Sequence, residues 1–399
     1  MAKFNGSAGR WLTRVATVVA ALTLAACGGG GGGDGGGSAS GDGTLRVALT
    51  DAPSCYEHVF VTVEKVGVHA NARAGDNDAG WRDLTLAAPR RIDLLSLTNG
   101  VLEELGSMAL PPGDYSQLRL VLAANSGQQP LANAVQPIGG TLTPLKTPSA
   151  QQSGLKLQVH FNVESNKLVD FVLDFDACKS VVRAGNSGGF VLKPVVSVTP
   201  RFVTSIQGFV TTTMALSATS VSAQQDGEIV RATMPDASGK FVLSFLPEGT
   251  YTLVITSDGR ATGVVSDVPA GTATSAVTSV NTATAPIVLP VSAMTTVSGT
   301  VTAAASPLGD ATVTALQAVA GDPIEVAATP VDLELATYTL RLPTAAPVRA
   351  PFSSAGLTFT AQTAVAGKYT LRASAPERVD LLRALDVANG APATVNFAY

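Results

Sequence analysis

The sequence predicts an all-β protein: antiparallel β-sandwich domains in series, placed after a signal peptide and a glycine-rich tether. Three observations carry this. Apolar and polar residues alternate over several stretches between 44 and 200, the period of a strand with one buried face. The composition is rich in turn and strand formers, with Gly 39, Pro 23, hydrophobic residues 46% and charged residues only 14%; this argues against a coiled coil and against a charged disordered chain. Only one short segment, about 98–108, is a helical candidate.

Taken in order, residues 1–26 form a lipoprotein signal peptide. Lys3, Arg10 and Arg14 precede an apolar run from Val15 to Ala26. That run is too short for a bilayer, which needs ~20 residues, and has the length of a signal-peptide core. The following segment, 27–43, is expected to be a cysteine and a tether. Leu24-Ala25-Ala26-Cys27 resembles the bacterial lipobox. The resemblance implies that Cys27 is acylated, in the manner palmitate labelling detects, and becomes the mature N-terminus. It also implies that Gly28, where Asp would favour inner-membrane retention, sends the protein to the outer membrane. Eleven of the sixteen residues 28–43 are Gly, so this stretch is expected to lack a fixed structure and to span roughly 22 Å as a flexible chain. A phosphate-binding glycine loop is excluded: no strand precedes it and no GK[ST]-helix follows.

Loss of three basic residues with the signal peptide takes the net charge from −4 to −7. A polyanion binder needs a basic surface, so nucleic acid is not an expected partner. Of three cysteines, lipidation uses Cys27. In an oxidising envelope compartment Cys55 and Cys178 are expected to pair as a disulfide, with two free buried thiols as the alternative.

Residues 44–202 form the first folded domain. Leu45, Val47 and Leu49 alternate, as do Val59, Val61 and Val63, and then Leu118, Leu120 and Leu122. Leu155 to Val163 and Val169 to Phe175 read as two one-sided strands joined at Glu164-Ser165-Asn166-Lys167 in a hairpin. Several ordered motifs here resemble the domain-of-unknown-function 4382 family of bacterial lipoproteins. They include Gly43-Thr44-Leu45-Arg46-Val47 with Asp51-Ala52-Pro53, Leu110-Pro111-Pro112-Gly113-Asp114-Tyr115, and Leu173-Asp174-Phe175-Asp176 with Leu192-Lys193-Pro194. The resemblance implies no established activity. It places Cys55 and Cys178 inside two motif regions that the bridge would join.

Residues 203–290 resemble the carboxypeptidase-regulatory-like family, a small transthyretin-type β-sandwich, on Ser238-Gly239-Lys240-Phe241-Val242-Leu243 and Leu246-Pro247-Glu248-Gly249-Thr250-Tyr251-Thr252-Leu253. Phe241, Leu243, Tyr251 and Leu253 are expected to face inward on partner strands, and Gly208-Phe209-Val210 to open the module. Residues 291–399 resemble a diverged second copy, on Val297-Ser298-Gly299-Thr300-Val301 and Gly367-Lys368-Tyr369-Thr370-Leu371, with residues 343–362 inserted. Lys residues are missing between 194 and 239 and between 241 and 367, so no Lys–Asn isopeptide bond is expected.

Candidate chemistry is sparse. Asp170, Asp174 and Asp176 share parity opposite Phe171, Leu173 and Phe175. With Asp51 they are a candidate Ca²⁺ site, since hard cations take several carboxylate oxygens; the alternative is a solvated acidic face with Lys156 or Gln158 across the hairpin. Trp81, the only tryptophan after the signal peptide, is a candidate sugar platform or a core residue. His160 reads as a surface histidine, and His58 and His69 as strand ends. There is no GxSxG elbow and no HExxH motif. The expectation is a non-catalytic outer-membrane lipoprotein acting as a binding or spacer module, with the membrane and a protein or polysaccharide as partners. A polysaccharide-binding accessory protein is the alternative, and an acid-chemistry hydrolase a weaker third.

Overall fold

Alternating apolar residues build three lobes, each a pair of sheets closed on its own core. The computed structural model describes residues 41–51, 55–148, 154–271, 275–304, 306–308 and 311–399. The signal peptide, Cys27 and the tether up to residue 40 lie outside the described residues.

The first lobe comprises β1 (Gly43–Asp51), β2 (Tyr56–His69), β3 (Arg82–Asp93), β4 (Glu103–Leu110), β5 (Gly113–Leu122), β6 (Ala134–Pro137), β7 (Thr143–Lys146), β8 (Leu155–Val163), β9 (Leu168–Phe175), the short helix α1 (Ala177–Ser180), β10 (Val181–Ala184), β11 (Gly189–Leu192) and β12 (Val196–Pro200). One sheet runs β12-β9-β1-β4; the facing one runs β10-β11-β7-β6-β2-β5-β8, with β3 on β2. Leu45, Val47, Leu49, Phe171, Leu173 and Phe175 from the first meet Val59, Val61, Leu118 and Leu120 from the second in one core.

Two expectations are corrected here. The segment expected to be helical is mostly β4, antiparallel to β1. Helix formers such as Glu103, Glu104 and Leu105 are overridden by pairing with a buried neighbour, a familiar weakness of propensity. The expected hairpin of β8 and β9 does not form: β8 pairs with β5, whereas β9 pairs with β1 in parallel and with β12. The Glu164–Lys167 link is an arch from one sheet to the other. Both arrangements bury the same alternate residues, so the pattern could not separate them.

The second lobe comprises β13 (Ser205–Phe209), β14 (Thr219–Gln225), β15 (Glu228–Thr233), β16 (Lys240–Ser244), β17 (Gly249–Ser257), β18 (Gly263–Ala270) and β19 (Val277–Ser279). As expected, Phe241, Leu243, Tyr251 and Leu253 are buried. They face each other across the sandwich rather than along a hairpin, because β16 pairs with β13 while β17 pairs with β14 and β18. At the turn before β16, Gly239 has φ +81°, and an added Cβ would lie 2.1 Å from the Val210 carbonyl oxygen; only glycine fits.

Both lobes share one device. In Leu110-Pro111-Pro112-Gly113-Asp114-Tyr115 the tyrosine hydroxyl donates to the Pro111 carbonyl at 3.1 Å; in Leu246-Pro247-Glu248-Gly249-Thr250-Tyr251 it donates to Pro247 at 2.9 Å. Leu110 and Leu246 are fully buried beside these corners. Each ring fills the core while its hydroxyl satisfies the carbonyl of the turn, as in a tyrosine corner.

The third lobe comprises β20 (Met294–Ala303), β21 (Ser306–Pro307), β22 (Thr312–Val319), β23 (Asp322–Pro330), β24 (Thr337–Pro343), β25 (Val348–Pro351), β26 (Thr360–Ala361), β27 (Lys368–Ser374), β28 (Leu381–Asp386), β29 (Ala393–Thr394) and β30 (Phe397–Ala398). The insertion at 343–362 does not stay with its own module. Within it, β25 adds in parallel to β18 and carries β26 with it, extending the second lobe's sheet to β15-β14-β17-β18-β25-β26. Val348 enters the second lobe's core, and Val254 and Val264 of the second lobe enter the third's.

Candidate functional site

The alternation in β9 that sends Phe171, Leu173 and Phe175 inward sends Asp170 and Asp174 outward. That outer face is covered, not solvated. β15 of the second lobe lays Arg231 on Asp174 as an ion pair with side chains 5% and 9% exposed, and Arg231 also donates to Thr199 Oγ1 at 3.0 Å. Burial pushes the Asp174 carboxyl above the usual range, and Arg231 pulls it back in part. Beside it Asn99, at φ +57°, stitches the same two lobes together. Its N–H donates to Thr233 Oγ1 at 2.9 Å, and its Oδ1 accepts the Val242 N–H at 2.9 Å.

The four aspartates do not form the expected Ca²⁺ site. Among the described residues no group of three His, Cys, Asp or Glu is placed to hold a metal. The physical reason is that each carboxylate is engaged elsewhere. Asp170 meets Arg46 and Arg201. Asp176 caps α1, accepting the Lys179 N–H at 2.9 Å. Asp51 stands in register with Phe175, hence on the face opposite Asp174, and accepts the Ala177 N–H at 3.3 Å. The solvated-face alternative fails as well, since Lys156 turns to Asp76 at 2.6 Å.

Cys55 and Cys178 form the expected disulfide, with Cα atoms 5.4 Å apart and a sequence separation of 123. It ties the start of β2 to α1. One residue on, Lys179 reaches Glu325 of β23 at 2.9 Å and Asp176 at 3.7 Å. Burial opposes the charge on Lys179, but Glu325 and Asp176 outweigh it and raise its pKa; burial raises Glu325 and Asp176 in turn. Gln224 of β14 fixes Glu325 from the other side: its Nε2 donates to the Glu325 carbonyl at 2.9 Å, and its Oε1 accepts the Glu325 N–H at 2.8 Å.

Around this bridge lies a pocket of about 240 Å³ to which all three lobes contribute. The first gives Cys55, Asp176, Cys178 and Lys179; the second gives one face of β14 and β17 with Ile229 and Met234; the third gives residues 325–328. The disulfide was legible from the cysteine count together with the expected compartment. Lys179, Arg231 and Glu325 were not singled out, although Glu325 interrupts the apolar run between Ile324 and Val326, a signal for a paired buried charge.

The remaining candidates fall outside the pocket. Trp81 is half-buried, with Arg119 over its ring at 3.9 Å, His69 beside it at 5.2 Å, and its Nε1–H donated to the Gly75 carbonyl at 2.9 Å. His69 is buried: Nδ1 accepts the Asn71 N–H at 2.8 Å, so Nε2 carries the proton given to Ala79 at 3.0 Å. His58 meets Asp93 at 2.6 Å, and His160 is exposed as expected. No described helix is long and apolar enough to cross a membrane.

Residues 42–194 match the family model described as a domain of unknown function (DUF4382), and residues 205–283 match the carboxypeptidase regulatory-like domain. No curated protein matches. Among solved structures, a type II cohesin–X-dockerin complex from Acetivibrio cellulolyticus is 21% identical over 23% of this chain and 59% of that one, with TM-score 0.19. The Bacillus anthracis TIE protein is 12% identical over 90% and 50%, TM-score 0.18. The Corynebacterium diphtheriae major pilin SpaD is 8% identical over 90% and 97%, TM-score 0.18. Overlays this loose carry no argument about this chain. The chain thus carries a DUF4382 domain followed by a carboxypeptidase regulatory-like domain, in an all-β architecture.

Proposed function

We propose that this protein is a non-catalytic lipoprotein of the bacterial outer membrane, in which three β lobes fastened to one another act as a spacer or binding arm. The observation that supports this reading is the fastening itself. Buried charge pairs join the first lobe to the other two, and a borrowed strand joins the second to the third. A spacer must keep its lobes together under thermal motion, whereas default contacts between domains allow relative movement. The signal peptide, Cys27 and the glycine tether supply the anchor, since several acyl chains hold a protein far better than one. Labelled palmitate should enter the protein in cells, and a Cys27→Ala variant should lose the label and leave the outer-membrane fraction. A wild-type product without label, or a variant that stays in the membrane, contradicts the reading.

A further inference from the structure

We propose that the pocket where the three lobes meet binds a single hydroxyl-rich ring, a hexose-sized sugar unit, and prefers one bearing an ammonium group. Size comes first. Ligand pockets for drug-sized molecules run from about 300 to 1,000 Å³ and favour domain interfaces. At about 240 Å³ this one, at such an interface, takes one ring and not a peptide.

The walls set the chemistry. Ser220 and Thr256 stand opposite each other in the β14–β17 register, half-buried, and their hydroxyls make no hydrogen bond to another group among the described residues. Their neighbour Ser222 is already held by Gln224 at 2.9 Å. A hydroxyl both donates and accepts, so this pair suits ligand hydroxyls, which do the same. Ile229, Met234 and Val326 supply an apolar surface in the same pocket. A ring with polar edges and an apolar face satisfies both walls.

Charge gives the preference. The pocket holds two carboxylates, Asp176 and Glu325, against one ammonium, Lys179. Glu228, which also acts on Lys179, is balanced by Arg372. The excess is one negative charge in a partly desolvated site, where repulsion of an anion and attraction of a cation are stronger than in water. A sugar ammonium is favoured, a neutral sugar tolerated and a uronate rejected.

The test is titration of the purified full-length protein with glucosamine, glucose and glucuronate, followed by saturation-transfer NMR and calorimetry. The expected result is saturable binding in that order, with glucuronate at least about tenfold weaker than glucosamine, a factor equivalent to about 1.4 kcal/mol. The double variant Ser220→Val/Thr256→Val should lose glucosamine binding while melting as the wild type does. Should it fold poorly, Ala328→Leu, which narrows the pocket from the third lobe, should weaken binding in its place. No saturable binding of any of the three, glucuronate binding at least as well as glucosamine, or unchanged binding in the variants would each overturn the proposal. Failure here leaves the lipid anchor untouched, because palmitate labelling reads that separately.

Discussion

Toward the first lobe the second presents side chains; toward the third it adds a backbone edge to side-chain contacts such as Gln224 on Glu325 and Glu228 on Arg372. The first junction rests on Asp174–Arg231 and on Asn99 with Thr233 and Val242. The second rests on the β18–β25 ladder, on apolar residues exchanged between cores, Val348 one way and Val254 and Val264 the other, and on Gln224 bonded to the Glu325 backbone. The difference teaches how each junction fails. A buried ion pair contributes little net stability, yet removing one partner strands a charge in a desolvated place. A strand ladder spreads its contribution over many small terms, so that no single side chain controls it.

The largest expected effect therefore sits at the ionic junction. Arg231→Met should destabilise the protein by about 3–5 kcal/mol, because Asp174 is left buried and unpaired. Adding Asp174→Leu should recover most of this. Chemical denaturation of both variants checks it, and an additive double variant would show that the pair does not act as a unit.

Next is the disulfide beside that junction. Cys55→Ser/Cys178→Ser should cost about 2–5 kcal/mol, since the bridge closes a long loop in the unfolded chain. Both cysteines belong to the first lobe, yet fastened lobes unfold together, so the loss should lower the single transition of the whole protein. Smaller still are the two tyrosine corners, which lie inside lobes and not between them. Tyr115→Phe and Tyr251→Phe should each cost about 0.5–1.5 kcal/mol, the range for one hydrogen bond, and by similar amounts because the geometry repeats. Thermal melts of the pair would reveal any inequality.

The smallest effect is that of pH, and its sign differs between groups. Burial raises Asp174, Asp176 and Glu325, so the folded protein holds their protons more tightly than the unfolded chain. Their contribution to stability falls as pH rises from the usual carboxylate range through the raised values. Asp332 is shifted the other way: burial opposes its charge, but the N–H groups of Leu335, Glu334 and Gly185 outweigh that and lower it. Its contribution is present above the usual carboxylate pKa and is lost below it. Melting temperature should hold or rise from pH 7 to 5 and drop below about pH 4. A steady fall from pH 7 downward would refute the burial argument for the three raised acids.

Much of this was legible in the sequence, and the limits have physical causes. Alternation placed Phe171, Leu173, Phe175, Phe241 and Tyr251 in cores, because a period of two encodes which face is buried. It does not say which strand lies alongside, so β8–β9 and β16–β17 fit a hairpin pattern although the chain crosses between sheets there. The parity of Asp170 and Asp174 was readable too. What covers them was not, since Arg231 is far along the chain and ion pairing has no local period. The 343–362 insertion was visible as a break in the repeat, whereas its destination on β18 depends on a sheet edge that only the fold creates.

The claim that the three lobes are fastened into one unit is tested most directly by scanning calorimetry of the full-length protein, comparing the calorimetric with the van't Hoff enthalpy. Fastened lobes predict one cooperative transition with the two enthalpies equal, and a separate first-lobe transition emerging in Arg231→Met. Independent transitions in the wild type, unchanged by Arg231→Met, would contradict it.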